Sequence, residues 1–247
     1  MTNETGAPRL RVVDQTSFGD VAADAVLAAL PGELPRIGVA TGATPLRLYR
    51  ELARRSQRGE IDLRTAVLVA LDEYVGLGSG DPRSYATYVK DVIAEPLGVD
   101  GDDVVVPDGL ADDPEREAAA LDDAITALGG IDVQIAGIGA NGHLGFNEPG
   151  SPLDSPARTV DLSMQTRRDN ARFFDGKLTD VPARAITQGL GTIGRARAIV
   201  LLAMGAHKAP ALQAAFAGPV TPEVPASVLQ LHPRVTVVAD RAAAARL

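Results

Sequence analysis

The 247-residue chain is 45% apolar and 23% charged, enough apolar material for a sizeable core and a normal charge share for a globular protein, which excludes global disorder. Its net charge of −8 disfavours nucleic acid and anionic membrane as partners, so an anionic ligand would need positive groups gathered locally. There is no cysteine, which excludes disulfides, thiolate catalysis and sulfur-ligated metals; a polar start over Met1–Leu10 and the lack of any apolar run of bilayer length predict a cytoplasmic protein with no signal peptide.

In chain order, Ser17 and Asp20 read as the cap of a helix over Val21–Leu30, stopped by Pro31-Gly32. A short buried strand follows at Arg36–Ala40, then a turn over Thr41-Gly42-Ala43-Thr44-Pro45 and a helix over Leu46–Arg55. The next strand is Ala66–Leu71, with Asp72-Glu73-Tyr74 just past its end. Asp81-Pro82 is expected to open a helix running to about Ile93, with proline at the first helical position. The rhythm repeats: helix Glu115–Leu128, strand Val133–Ala136, strand Ala198–Ala203, helix from Gly205 and Ala206 to about Phe216, and a last strand Val235–Ala239. Strands alternating with helices, and strands that read as continuous apolar runs, predict an α/β fold of Rossmann-like type: one domain spanning 1–247, with a mostly parallel sheet covered by helices on both faces. Ligands of such sheets sit at the carboxyl ends of strands, where the loops after Ala40, Leu71 and Ala136 should converge.

Those loops hold the residues that could do chemistry. Thr41-Gly42-Ala43-Thr44 joins a strand to a helix and could offer free backbone N–H groups to a phosphate, or be an ordinary turn; it lacks the Gly-Lys-Ser/Thr ending of a Walker loop. Asp72 and Glu73 follow a buried strand, where a carboxylate can transfer protons or merely cap a helix. Between 137 and 145 lie four glycines, in Gly137-Ile138-Gly139-Ala140-Asn141-Gly142-His143-Leu144-Gly145-Phe146-Asn147-Glu148-Pro149. Gly137, Gly139 and Gly142 formally fit a dinucleotide fingerprint, but Gly145 and Pro149 spoil the helix that should follow. His143 and Glu148 instead offer an acid/base pair. His207 is expected near a helix start, and His232 in a structural role before the last strand. With three histidines, no cysteine and no H-E-x-x-H, no transition-metal site is expected. Arg167 and Arg168 read as a solvated face; Arg172 and Lys208 could serve a phosphate.

Taken together, Thr41–Pro45, Leu71–Tyr74, Gly139–Pro149, Ala171–Phe174, Gly205–Lys208 and Leu229–Pro233 resemble, in order, the glucosamine-6-phosphate deaminase family, over about Val39 to Asp240. The resemblance implies a hydrolase acting on an amino-sugar phosphate, converting glucosamine 6-phosphate to fructose 6-phosphate and ammonia in amino sugar metabolism, with no cofactor. It implies a sugar phosphate held by Thr41, Gly42, Ala43, Thr44, Arg172 and Lys208. It assigns His143 to ring opening, Glu148 to orienting it, and Asp72 to carrying a proton from C2 to C1. Asn141 stands where many members carry aspartate beside the histidine, so it supplies no charge to His143. The related 6-phosphogluconolactonases are the alternative; their loop typically continues toward Leu-Phe-Pro, whereas this one reads Phe146-Asn147-Glu148-Pro149. A sugar-sensing regulator ranks third, because the first 35 residues are too short and acidic for a helix-turn-helix. Allosteric members bind an acetylated sugar phosphate at a subunit interface; here Ser151 and Arg158 suit that patch, but Val160 replaces a lysine, Asp161 a threonine, and Pro152 removes a donor. A homo-oligomer is compatible with the resemblance, and 160–182 is a candidate lid.

Overall fold

The computed structural model describes residues 8–247. The polar start read above therefore lies partly outside the described residues. Among the described residues there are ten strands: β1 (Arg9–Val13), β2 (Arg36–Val39), β3 (Val67–Ala70), β4 (Asp72–Tyr74), β5 (Val104–Val105), β6 (Val133–Gly137), β7 (Arg158–Asp161), β8 (Arg184–Thr187), β9 (Ile199–Ala203) and β10 (Val235–Asp240). Seven form one sheet in the order β1-β10-β9-β6-β2-β3-β5, with every pairing parallel. All five residues of β9 are buried. Successive side chains point to opposite faces, so both faces of this strand are covered, as the continuous apolar run requires. Fully burying one such aliphatic side chain contributes roughly 1.5–3 kcal/mol, so these runs supply much of the core's stability.

The covering helices are α1 (Phe18–Leu27), α2 (Pro45–Gln57), α3 (Tyr85–Tyr88), α4 (Glu95–Leu97), α5 (Pro114–Ala127), α6 (Met164–Asn170), α7 (Leu190–Gly194) and α8 (Ala209–Ala217). A π-helical turn over Val89–Ala94 joins α3 to α4. Helix α1 runs three residues ahead of the expected Val21–Leu30; Ser17 stands at its N-cap but makes no side-chain cap, its hydroxyl donating to the carbonyl of Asp14 at 3.2 Å.

Two expectations are corrected. Pro82 does not open a helix. Asp81 closes a turn around it, accepting the N–H of Arg83 at 2.8 Å on its carboxylate and that of Ser84 at 3.0 Å on its carbonyl. The helix starts at Tyr85, where Ser84 caps Thr87 and the Glu73 carboxylate takes the N–H groups of Tyr85 and Ala86 at 3.0 and 2.8 Å. Three otherwise orphaned donors are thereby satisfied, which fixes the start at that residue. The second correction concerns Asp72-Glu73-Tyr74. It is a strand, pairing antiparallel with β8, which in turn pairs antiparallel with β7. This second sheet carries its own small cluster of Tyr74, Leu77, Phe146, Leu162, Phe174 and Val181.

Candidate active site

The strand order reverses between β2 and β6: the chain runs from β2 outward to β3, and from β6 the other way to β9. A crevice forms outside the strand ends at such a switch. Here it is a cleft of about 490 Å³, lined by Ala40–Leu46 after β2, by Leu71 and Asp72 after β3, by Gly137–Gly139 at the end of β6, and by Leu202 and Lys208 at β9 and beyond.

On the first wall, Gly42 has φ +111°, a conformation that favours glycine. Two tyrosines pin this loop. Tyr49 donates to the carbonyl of Ala40 at 2.8 Å and accepts its N–H at 3.1 Å, and Tyr88 donates to the carbonyl of Gly42 at 3.1 Å. With that carbonyl held away, Thr44 stands at the N-terminus of α2 with its hydroxyl free of any capping bond and Pro45 behind it. Unpaired N–H groups there favour an anion.

On the second wall, Asp72 is 5% exposed. Burial, with Glu73 adding to it, pushes its carboxyl up to about 8. Glu73 is also raised by burial, but the N–H groups of Tyr85, Ala86 and Tyr74 oppose the shift, and it serves as a cap. Tyr74 and Tyr85 hydrogen-bond to each other at 3.2 Å beside Asp72.

The third wall is the glycine-rich loop. Gly139 N–H bonds to the carbonyl of His143 at 2.9 Å, closing a tight turn in which Gly142 has φ +86°. The His143 ring lies directly over Gly139, where an added Cβ would sit 2.3 Å from the ring. Its Nδ1 is buried without a hydrogen-bond partner and faces Glu148 Oε2 at 4.0 Å. Burial lowers the His143 pKa and Glu148 opposes that shift, so the imidazole is neutral near pH 7 and open to either role of an acid/base group. Glu148 does not line the cleft itself; it stands behind the histidine, held by Asn141 Nδ2 at 2.8 Å, by Ser163 at 3.2 Å and by Thr166. Asn141 is likewise off the cleft wall, linking Glu148 to the backbone N–H of His143 at 3.2 Å.

Lys208 and Arg172 close the cleft. Gly205, with φ +93°, places the turn that carries Lys208, and the buried Asp240 carboxylate anchors it through the Gly205 N–H at 3.0 Å. Burial, then the charge of Arg172, lowers the Lys208 pKa. The Arg172 guanidinium lies over the Phe173 ring at 4.7 Å. The structure thus brings Thr41, Gly42, Ala43, Thr44, Asp72, His143, Arg172 and Lys208 onto one surface, with Asn141 and Glu148 directly behind it. Sequence reasoning missed Tyr85, Tyr88, Arg83 and Asp169, which also line the cleft. For the two tyrosines and Arg83 the signal lay in the misread helix start.

His232 is structural as expected, bonding the carbonyl of Ala196 at 2.7 Å and the N–H of Arg234 at 3.1 Å. Arg167 is not simply solvated: it ties the carbonyls of Leu178 and Val181 at 3.3 and 2.9 Å, bracing the segment read as a lid. No group of three or more histidine, aspartate or glutamate side chains able to hold a metal is present among the described residues. Nor, among them, is any helix long and apolar enough to cross a membrane.

Residues 19–238 match the family described as glucosamine-6-phosphate isomerases/6-phosphogluconolactonase. The chain is 50% identical over 235 residues to the glucosamine-6-phosphate deaminase of Cutibacterium acnes, spanning 95% of this chain and 90% of that one. It is 49% identical over 238 residues to that of Streptomyces avermitilis, spanning 96% and 91%. Among solved structures, a monomeric glucosamine-6-phosphate deaminase superposes with a TM-score of 0.93 at 36% identity, over 97% of this chain and 100% of that one. A 6-phosphogluconolactonase from Trypanosoma cruzi shares the fold, with a TM-score of 0.80 at 18% identity over 100% and 99% of the two chains.

Proposed function

The chain belongs to the family of glucosamine-6-phosphate isomerases and 6-phosphogluconolactonases, and within it we propose that it is a glucosamine-6-phosphate deaminase. The observation that carries this reading is a buried carboxyl, Asp72, facing the same cleft as a neutral histidine backed by a carboxylate, His143 and Glu148. Isomerising an aldose needs two acid/base steps in sequence. The ring must open before C1 is a carbonyl, and only then is the C2 proton acidic enough to remove.

The sugar phosphate is held at the N-terminus of α2 by Thr41–Thr44, with Lys208 and Arg172 supplying the positive charge that the chain as a whole lacks. His143 takes the anomeric hydroxyl proton and returns one to the ring oxygen, while Glu148 orients the imidazole and supports its charged form. Asp72 then removes the C2 proton, giving an enolamine, and delivers a proton to C1, giving the ketose imine. Water adds to the imine carbon and the C–N bond breaks, so that glucosamine 6-phosphate and water become fructose 6-phosphate and ammonia. The net change is hydrolysis of a C–N bond coupled to aldose–ketose isomerisation. Asn141, where many members carry aspartate, contributes here as a neutral brace between Glu148 and the His143 backbone rather than as a charge. A lactonase needs no proton shuttle between adjacent carbons, so the placement of Asp72 favours the deaminase reading.

The test is exchange of the C2 proton with solvent. Asp72→Asn should reduce the exchange rate about 10²–10⁴-fold, the usual contribution of a general base, while the sugar phosphate still binds. Near-normal exchange in that variant would remove Asp72 from the role of base.

A further inference from the structure

At the opposite end of the sheet from the cleft, a groove of about 520 Å³ runs between α1 and β1, with Arg234 at the start of β10 closing it. Its outer wall is the edge strand. Of the five residues of β1, Arg9, Leu10, Arg11 and Val12 are exposed and only Val13 is half-buried. Within the sheet β1 pairs with β10 alone, so its outer row of backbone N–H and C=O groups meets nothing among the described residues.

Side chains of a strand alternate between its two faces. Arg9 and Arg11 share the face of Thr236 and line the groove beside Val21 and Ala25 of α1; Leu10 and Val12, 42% and 48% exposed, lie on the other face. The edge therefore presents one basic face and one apolar face. Among the described residues the guanidinium groups of Arg9, Arg11 and Arg234 have no ion-pair or hydrogen-bond partner. Acids outnumber bases in this chain by 32 to 24, and arginines elsewhere find them: Arg55 meets Asp24, Arg184 meets Glu115, and Arg241 meets Asp14. Of the described residues lining the groove, Asp24 is the one acid, and Arg55 holds it at 2.6 Å. Three cations thus face one groove without counter-charge.

An open strand edge is a template for another strand. A second copy of this chain fits it poorly. Antiparallel pairing about a two-fold axis through Leu10 sets Arg9 of one copy against Arg11 of the other, and an axis through Arg11 sets that residue against itself. Like charges directly opposite are destabilising. We propose that β1 is a docking edge for an extended acidic segment of another protein, in which aspartate or glutamate alternates with apolar residues. Such a segment pairs its backbone with β1, sets its carboxylates against Arg9 and Arg11 in the groove, and lays its apolar side chains beside Leu10 and Val12. Arg234 takes a further carboxylate where the groove ends. This docking is independent of the reaction proposed for the cleft, which lies at the other ends of the strands.

The probe is a fluorescein-labelled peptide, Ser-Val-Glu-Val-Glu-Val-Glu-Ser, titrated against the full chain by fluorescence anisotropy. One control replaces glutamate by lysine; the other keeps the composition but clusters it as Ser-Glu-Glu-Glu-Val-Val-Val-Ser. The alternating acidic peptide should bind about ten-fold or more tightly than either, the scale of one charge-assisted contact. Raising ionic strength from about 0.01 to about 0.15 M shortens the screening length from roughly 30 to 8 Å and should weaken that binding. Arg9→Glu/Arg11→Glu should reverse the preference toward the lysine peptide, with thermal unfolding near that of the wild type. Amide hydrogen exchange reads the pairing itself: the acidic peptide should slow exchange over Arg9–Val13 and leave the cleft loops unchanged. Equal binding of the alternating and clustered peptides, protection that spares Arg9–Val13, or no binding at all overturns the proposal. A dimer of this chain that Leu10→Asp/Val12→Asp dissolves would assign the edge to a second copy and overturn it equally.

Discussion

At the scale of single residues, the side chains of the cleft have surroundings that leave them little freedom. His143 packs on Gly139 so closely that a methyl group there would stand 2.3 Å from its ring. Gly139→Ala should therefore displace the imidazole from Glu148 and lower kcat/KM about 10²-fold or more, the scale of a lost acid/base group, while the chain still unfolds cooperatively. Steady-state kinetics beside thermal unfolding checks this; normal activity in the variant would mean that the ring position does not matter. The residues at this scale were largely legible in the sequence. His143 and Glu148 share one short loop, and their spacing alone offered an acid/base pair; Asp72 follows a continuous apolar run but read equally as a helix cap, and only the family resemblance assigned it a role. The division of labour between Asp72 and Glu73 was not legible. It depends on which carboxylate meets the N–H groups of Tyr85 and Ala86, and those arrive from an element whose start the Asp81-Pro82 pair misrepresents.

Among the elements, the strand-to-helix loop at 41–45 is held from outside by two helices. Tyr49 lies within α2 and fixes Ala40; Tyr88 ends α3 and fixes the Gly42 carbonyl at 3.1 Å. Removing the second bond should loosen the end of the cleft proposed to hold the phosphate, away from Asp72 and His143. Tyr88→Phe is expected to raise KM about two- to ten-fold, the equivalent of one ordinary hydrogen bond, with kcat nearly unchanged. A fall in kcat at constant KM would place Tyr88 in the chemistry instead. The elements that sequence reasoning missed share a physical cause. Strands β4, β7 and β8 are three or four residues long, and Asp72-Glu73-Tyr74 carries two carboxylates, which hides its strand character. What makes it a strand is pairing with Thr187, Ile186 and Ala185, more than a hundred positions away. Strand β1 escaped notice because it lies at the sheet edge with no buried face, and its register, Arg9 opposite Thr236, spans nearly the whole chain.

For the whole molecule, the alternation of strand and helix was legible, and it correctly placed three loops in one crevice; the strand order was not, because parallel pairing is non-local. Regulation is also a property at this scale. The Arg158 guanidinium donates to Asn147 at 2.6 Å, to Ser155 at 3.0 Å and to Ser151 at 3.0 Å, so it braces the chain on both sides of Glu148. Asp161, three positions further along β7, is 93% exposed and lies 3.9 Å from Arg184. An effector phosphate would have to displace those contacts, at the cost of the hydrogen bonds that Arg158 already makes. Rate against substrate concentration should therefore be hyperbolic and insensitive to N-acetylglucosamine 6-phosphate. Sigmoidal curves that straighten when it is added would show that the patch still works. The central claim, that this cleft deaminates an amino-sugar phosphate, is tested most directly by assaying one preparation on two substrates without added cofactor. Ammonia and fructose 6-phosphate should form in equal amounts from glucosamine 6-phosphate, with little hydrolysis of 6-phosphogluconolactone. Lactone hydrolysis well above ammonia release would contradict it.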